Sequence, residues 1–149
     1  LTNKIFKFKF EDSSNKNTNF KRIRIRNLIN YLKSEGLDLE KLRQTIDNLS
    51  DSNFTINHYV NENIKYNSKY FKNKKHYILN NNFFNQPHEI VFRSLAYLFK
   101  KVGNKYYSPR GKSVDMLLSK FGSGEIKKIN ISGCILEKIN NSFIISEEK

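Results

Sequence analysis

The sequence predicts an α+β protein, with an antiparallel helix pair in its first half and a small α/β C-terminal domain that ends in a β-hairpin. Three observations predict it. Apolar residues recur at helical spacing through Ile25–Leu32 and again through Leu39–Ile64. A further helical stripe follows Pro87. From Ile126 onward the runs are β-rich and flank the pair Asn140-Asn141, a hairpin signal.

In chain order, the segment KIFKFKF (Lys4–Phe10) alternates lysine with apolar residues, the period of a strand with one buried face. A strand so near the start needs a sheet to join, and the chain is expected to be cut from something larger. Next comes EDSSNKNTNFKRIRIR (Glu11–Arg26), which holds three of the six arginines: Arg22, Arg24 and Arg26. Arginine grips phosphate or carboxylate with a planar fork that lysine lacks. Beside Glu11 and Asp12 the cluster is either an ion-pair network or part of a site for a charged substrate.

A helix is expected from Phe20, with Ile25, Leu28, Ile29 and Leu32 as one stripe, Arg22 and Arg26 on another face, and Gly36 as its stop. Asp38 is placed to cap a long second helix whose apolar positions run Leu39, Leu42, Ile46, Leu49, Ile56, Val60 and Ile64, broken at Asn53. Two such helices joined by a short turn are expected to pack antiparallel, as a helical domain over residues 20–66. Residues 67–85 read as a polar, aromatic and basic linker. Lys72, Lys74, Lys75 and His76 beside Tyr70, Phe71 and Tyr77 could alternatively bind single-stranded nucleic acid by charge and stacking.

Residues 86–149 form the expected C-terminal domain. Pro87 opens its first helix, with Glu89 placed for a capping box and Val91, Leu95, Leu98 and Val102 facing the core until Gly103. In the turn NKYYSPRGK, Arg110 stands between lysines with Tyr106 and Tyr107 close by, either a surface turn or a phosphate-and-stacking contact. Ser113 is expected to cap a short helix through Leu117, Leu118 and Phe121.

Composition limits the function classes. The 149 residues carry a net charge of +13, which favours nucleic acid, although lysine outnumbers arginine 21 to 6, as AT-rich coding would produce in any protein. No apolar run reaches the roughly 20 residues of a membrane span. The single cysteine, Cys134, cannot form an internal disulfide, and a reducing, cytoplasmic setting is expected. His58, His76 and His88 have no metal-ligand spacing with each other or with Cys134, so no metal site is expected. Neither a phosphate-cradling glycine loop nor a nucleophile elbow occurs, and Cys134 reads as a small buried hydrophobe.

Several motifs together resemble the tRNA(Ile)-lysidine synthases. Asp12, Ser13, Ser14 and Asn15, followed by Arg22 and Arg26, resemble the D-P-S-N sequence and R-x-x-x-R run of that family. In matching order come a helical pair, a helix carrying Arg93, then Tyr106-Tyr107 and Arg110-Gly111-Lys112, and lastly Ile131-Ser132-Gly133-Cys134-Ile135. Ser13 stands where the family has proline, and Ser132 where it has glycine. The resemblance implies that residues 1–19 end a PP-loop catalytic domain whose nucleotide loop lies upstream, with the N-terminal strand its remnant. It implies a parent ligase that uses ATP, together with Mg2+, to adenylate the wobble cytidine of a minor isoleucine tRNA. L-lysine then displaces AMP. The stretch alone is expected to be inactive and to bind no ATP, and the parent could be a homodimer.

By the same resemblance Asp12, helped by Glu11, would hold the lysine ammonium or orient an arginine, and Asn15 would brace the loop. Arg22 and Arg26 would stabilise negative charge on ATP or tRNA. Arg93, Arg110, Lys112 and Tyr107 would contact tRNA. Two readings compete with the ligase: a non-catalytic basic RNA- or DNA-binding module, and a helical interaction domain.

Overall fold

The computed structural model describes residues 18–122 and 127–148. The chain divides into two compact units, residues 1–49 and 50–149. The expected strand Lys4–Phe10, together with Glu11, Asp12 and Asn15, lies outside the described residues.

In the first unit, α1 spans Lys21–Ser34. It stops at Gly36, where φ is +99°. Leu37 N–H bonds to the Leu32 carbonyl at 2.8 Å and Gly36 N–H to that of Lys33 at 3.1 Å, the paired bonds of a Schellman motif that spare the last turn its orphan carbonyls. Asp38 then caps α2 (Leu39–Asn67), its Oδ1 accepting from the N–H groups of Glu40 and Lys41 at 2.9 and 3.2 Å. The end of α1 and the start of α2 therefore fall where their capping residues dictate.

The expected antiparallel packing face is not buried. Ile25, Leu28, Ile29 and Leu32 on α1, and Leu39, Leu42, Ile46 and Leu49 on α2, are all exposed. The one buried position of α1 is Ile23, off the anticipated stripe. Helical periodicity specifies that a face is apolar, and a face becomes core only when another element covers it.

In the second unit the segment expected to be a linker, 67–85, instead supplies two strands. β1 (Ser68–Phe71) and β2 (His76–Asn80) form a hairpin around a 3₁₀ turn at Lys72–Lys74, closed by Lys75 at a φ of +49°. After a second 3₁₀ turn come α3 (His88–Val102) and α4 (Gly111–Gly122). β3 (Lys128–Ile131), β4 (Cys134–Ile139) and β5 (Ser142–Glu147) complete an antiparallel five-stranded sheet ordered β1-β2-β5-β4-β3. The architecture is α+β, with a helical pair followed by a small domain built on an antiparallel sheet. The Asn140-Asn141 hairpin forms as expected, with Ser142 paired to Ile139.

Strand alternation separates the two faces of the sheet. Tyr77, Leu79, Ile131, Cys134, Leu136, Phe143 and Ile145 point to one side, where they form the core with Val91, Leu95, Leu98 and Phe99 of α3 and Val114 and Leu117 of α4. Fourteen buried residues share this cluster, enough apolar area to hold the helices on the sheet. Three further positions refine the expectations. Pro87 sits one residue before α3. The Glu89 carboxylate pairs with Arg93 in place of a capping box. α4 begins at Gly111, ahead of Ser113, because the Arg110 carbonyl already accepts from Ser113 and Val114.

Two close approaches position the C-terminal end of α3. A Cβ on Gly103 would stand 3.1 Å from the Cys134 sulfur and from the carbonyls of Phe99 and Ser132, so the helix end meets the β3–β4 turn only because residue 103 has no side chain. That turn consists of Ser132 and Gly133, at φ values of +56° and +75°. Both residues are left-handed, as a two-residue hairpin of the favoured twist requires.

Candidate nucleic-acid interface

The arginine-rich turn begins at Phe20, whose extended backbone (φ −82°, ψ 125°) precedes α1 with no side-chain cap. Lys21, Arg22 and Arg24 follow in the first turn or just past it, and no acidic side chain accompanies them there. The helix dipole opposes cations at this end. Arg24 turns back, its Nη1 donating to the carbonyls of Thr18 at 3.1 Å and Asn19 at 3.0 Å. The Arg22 guanidinium stands 5.8 Å from the centre of the Phe20 ring. Arg22 and Arg26 are exposed, and neither has an acidic partner among the described residues.

Arg93 is differently placed. Its Nε donates to Glu89 Oε1 at 2.6 Å, and its Nη1 to Asn53 Oδ1 at 2.6 Å and Asn57 Oδ1 at 3.3 Å. The guanidinium thus ties α3 to the second half of α2. Asn53, the break in the apolar pattern of α2, is one of the acceptors. Nearly three turns further on, at about 3.6 residues per turn, buried Asn63 donates to the Phe83 carbonyl at 3.3 Å and to Ser94 Oγ at 3.2 Å, and accepts from Asn67 at 2.9 Å. The joint between α2 and α3 is a ladder of amides, in which buried polar groups find each other.

Tyr107 and Arg110 lie on the exposed connection between α3 and α4, and exposed Lys112 stands in the first turn of α4. Lys105 starts this connection against the β3–β4 turn, its Cε 3.4 Å from where a Gly133 Cβ would be. Gly111 ends it beside the Phe92 ring, so the loop runs back along α3. Tyr106 and Tyr107 meet edge to face at 4.7 Å and present their rings to solvent, Tyr106 being 83% exposed. An exposed aromatic pair beside Arg110 and Lys112 suits stacking and phosphate contact.

The β1–β2 hairpin divides its aromatic residues between the faces of the sheet. Tyr70 packs on Tyr77 at 4.8 Å on the helix side. There Lys101 lies 5.8 Å from the Tyr77 ring and 5.6 Å from Tyr97, and the Tyr77 hydroxyl beside it holds its amine above the ordinary lysine range. Phe71 and His76 face the other way, 5.4 Å apart. Lys101 and Tyr97 were missed in the sequence because they look like surface positions of α3. Their spacing of four residues on the helix was the available signal.

Cys134 is fully buried, donates to the Phe99 carbonyl at 3.4 Å, and has its thiol pushed up to about 11 by burial. A protonated, enclosed thiol is a packing group. Among the described residues no three His, Cys, Asp or Glu side chains are grouped to hold a metal ion. No helix among them is long and apolar enough to cross a membrane. Comparison with protein-family models, curated proteins and solved structures gave no match.

Proposed function

We propose that this chain is the tRNA-facing part of a cytoplasmic tRNA(Ile)-lysidine synthase. In this reading the C2 oxygen of the wobble cytidine attacks the α-phosphorus of ATP and pyrophosphate leaves. The lysine amine then attacks C2, and AMP departs with that oxygen. Asp12 and Glu11 hold the lysine ammonium or orient an arginine, Asn15 braces their loop, and Arg22 and Arg26 meet phosphate charge on ATP or tRNA. The loop that binds ATP and Mg2+ belongs to sequence outside this chain.

The observation that carries the reading is the start of α1. Exposed Arg22, with Arg24 and Arg26 after it, crowds a helix N-terminus that has neither an acidic residue nor a side-chain cap. A cation in the first turn is opposed by the helix dipole by about 0.3–1 kcal/mol. An anion at the same place would be favoured by the dipole and by the arginine forks together. Of the groups present, these arginines fit phosphate, and they follow the Asp12–Asn15 motif after several intervening residues. Tyr107 and Arg110, exposed on the α3–α4 loop, and Lys112, exposed at the start of α4, are the proposed tRNA contacts of the second unit. Arg93, held by three acceptors, acts by bracing α3 against α2.

The experiment is turnover of the parent enzyme with Arg22→Ala. Lysidine formation is expected to fall by a factor on the order of 100, as when one charge-stabilising donor is removed. Unchanged turnover would remove Arg22 from the site. A second reading, a non-catalytic basic RNA-binding module, is favoured by the lysines and aromatic rings on the sheet. It predicts RNA binding with no lysidine formed, whether by this chain or by its parent.

A further inference from the structure

We propose that the open face of the five-stranded sheet, at the β1–β2 hairpin, binds unpaired RNA nucleotides, with Phe71 and His76 stacking bases and Lys69, Lys72, Lys74 and Lys75 holding the phosphates between them. The inference rests on the reading above only for the choice of RNA as the nucleic acid.

Within the second unit α3 and α4 pack on one face of the sheet. The strand registers place Lys69 and Phe71 of β1, His76 and Ile78 of β2, Ile144 and Ser146 of β5, and Ile135 of β4 on the opposite face. Phe71 is 38% exposed, and its ring and that of His76 are tilted by 31°. Lys69 Nζ lies 5.4 Å from the centre of the Phe71 ring. Two hollows flank the turn and share Asn73 and Lys74. One, of about 410 Å³, is floored by Phe71, His76 and Ile78, and the other, of about 690 Å³, by Ile135 and Ser146. Both are of the size that takes a small organic group.

A flat aromatic ring accepts any base, and an apolar floor beside it accepts the next one. The lysines supply charge at the edge of that floor. Among the described residues Lys69, Lys72, Lys74 and Lys75 have no acidic partner, and the one carboxylate lining either hollow is that of Glu147. A lysine on an edge strand also deters strand-to-strand aggregation, and that accounts for Lys69. It does not account for an aromatic side chain exposed on the same edge strand, which works against that purpose. Duplex RNA hides the faces of its bases and would leave Phe71 and His76 unused.

The test is fluorescence anisotropy of the full chain with a single-stranded RNA of about ten nucleotides and with an RNA duplex of equal length, each at two salt concentrations. The single strand is expected to bind more tightly. Phe71→Ala should weaken it roughly 5- to 150-fold, the range of one lost base stack. Phe71→Leu, which keeps an apolar residue in the strand, should weaken it in the same direction, and Phe71→Tyr should not. Changing Lys72, Lys74 and Lys75 together to Gln should reduce the salt slope by about 2. Tyr59→Ala, exposed on α2, serves as a control with unchanged affinity. Preference for the duplex, or full affinity in both Phe71→Ala and Phe71→Leu, would overturn the proposal. Loss of lysidine formation as an activity, with single-strand binding and its Phe71 dependence intact, would overturn the ligase reading alone.

Discussion

Asn63→Ala should loosen the packing of the second half of α2 within the second unit, and the size of the effect can be worked from three hydrogen bonds. The Asn63 side chain donates to the Phe83 carbonyl and Ser94 Oγ and accepts from Asn67, and both Asn63 and Ser94 are buried. Each such bond contributes about 1 kcal/mol net, and a buried group left without a partner costs more. Truncation at Asn63 should therefore cost about 2–4 kcal/mol. Ser94→Ala should cost only about 1 kcal/mol, because the Asn63 amide keeps the Phe83 carbonyl. Adding Ser94→Ala to Asn63→Ala should cost little further, because the hydroxyl orphaned by the first change is then gone. Urea unfolding followed by circular dichroism measures all three variants. A loss below about 0.5 kcal/mol for Asn63→Ala, or strict additivity in the pair, would refute the amide ladder as what holds the helix.

Other consequences concern single positions. Ser132→Gly should raise stability by about 1 kcal/mol in thermal unfolding, since residue 132 is left-handed at a φ of +56°. Gly103→Ala should lower it by about 1–3 kcal/mol, because the new methyl meets the Cys134 sulfur and two carbonyls at 3.1 Å. Cys134 should resist thiol reagents at neutral pH in the folded protein and react once urea unfolds it. Its thiol keeps its proton to about 11 when folded and loses it near 8.5 when unfolded. This contribution to stability is thus full below about pH 8 and falls between there and about pH 11, by roughly 1–3 kcal/mol, which Cys134→Ala should abolish in a pH series of unfolding curves.

Much of the fold was legible wherever one local rule dominated. Gly36 and Asp38 mark the α1–α2 turn by chemistry that needs no tertiary context, and Asn140-Asn141 marks a hairpin in the same way. The β1–β2 hairpin was not legible as strands. Only Tyr77 and Leu79 give it an apolar alternation, and its turn is a lysine-rich 3₁₀ segment without glycine. Its second strand depends on pairing with β5, where Tyr77 meets Ile145 and Asn80 meets Ser142, a distant partner that no local pattern records. Asn53 looked like a fault in an amphipathic helix. It and Asn63 prove to be points of attachment to the second unit's other elements, Asn53 through an exposed bond from Arg93 and Asn63 through buried bonds to Phe83 and Ser94. Of the site residues, Arg110, Lys112 and Tyr107 are exposed as a contact surface requires. Arg93 is taken up by Glu89, whose spacing of four residues was readable, and by asparagines whose proximity was not.

The central claim is that the protein containing this chain makes lysidine. The most direct measurement is nucleoside mass spectrometry of a minor isoleucine tRNA after incubation with the parent protein, ATP and L-lysine. The account predicts that the wobble cytidine is replaced by lysidine only when both ATP and lysine are present. An unmodified cytidine under those conditions, from a folded parent that binds the tRNA, would contradict it.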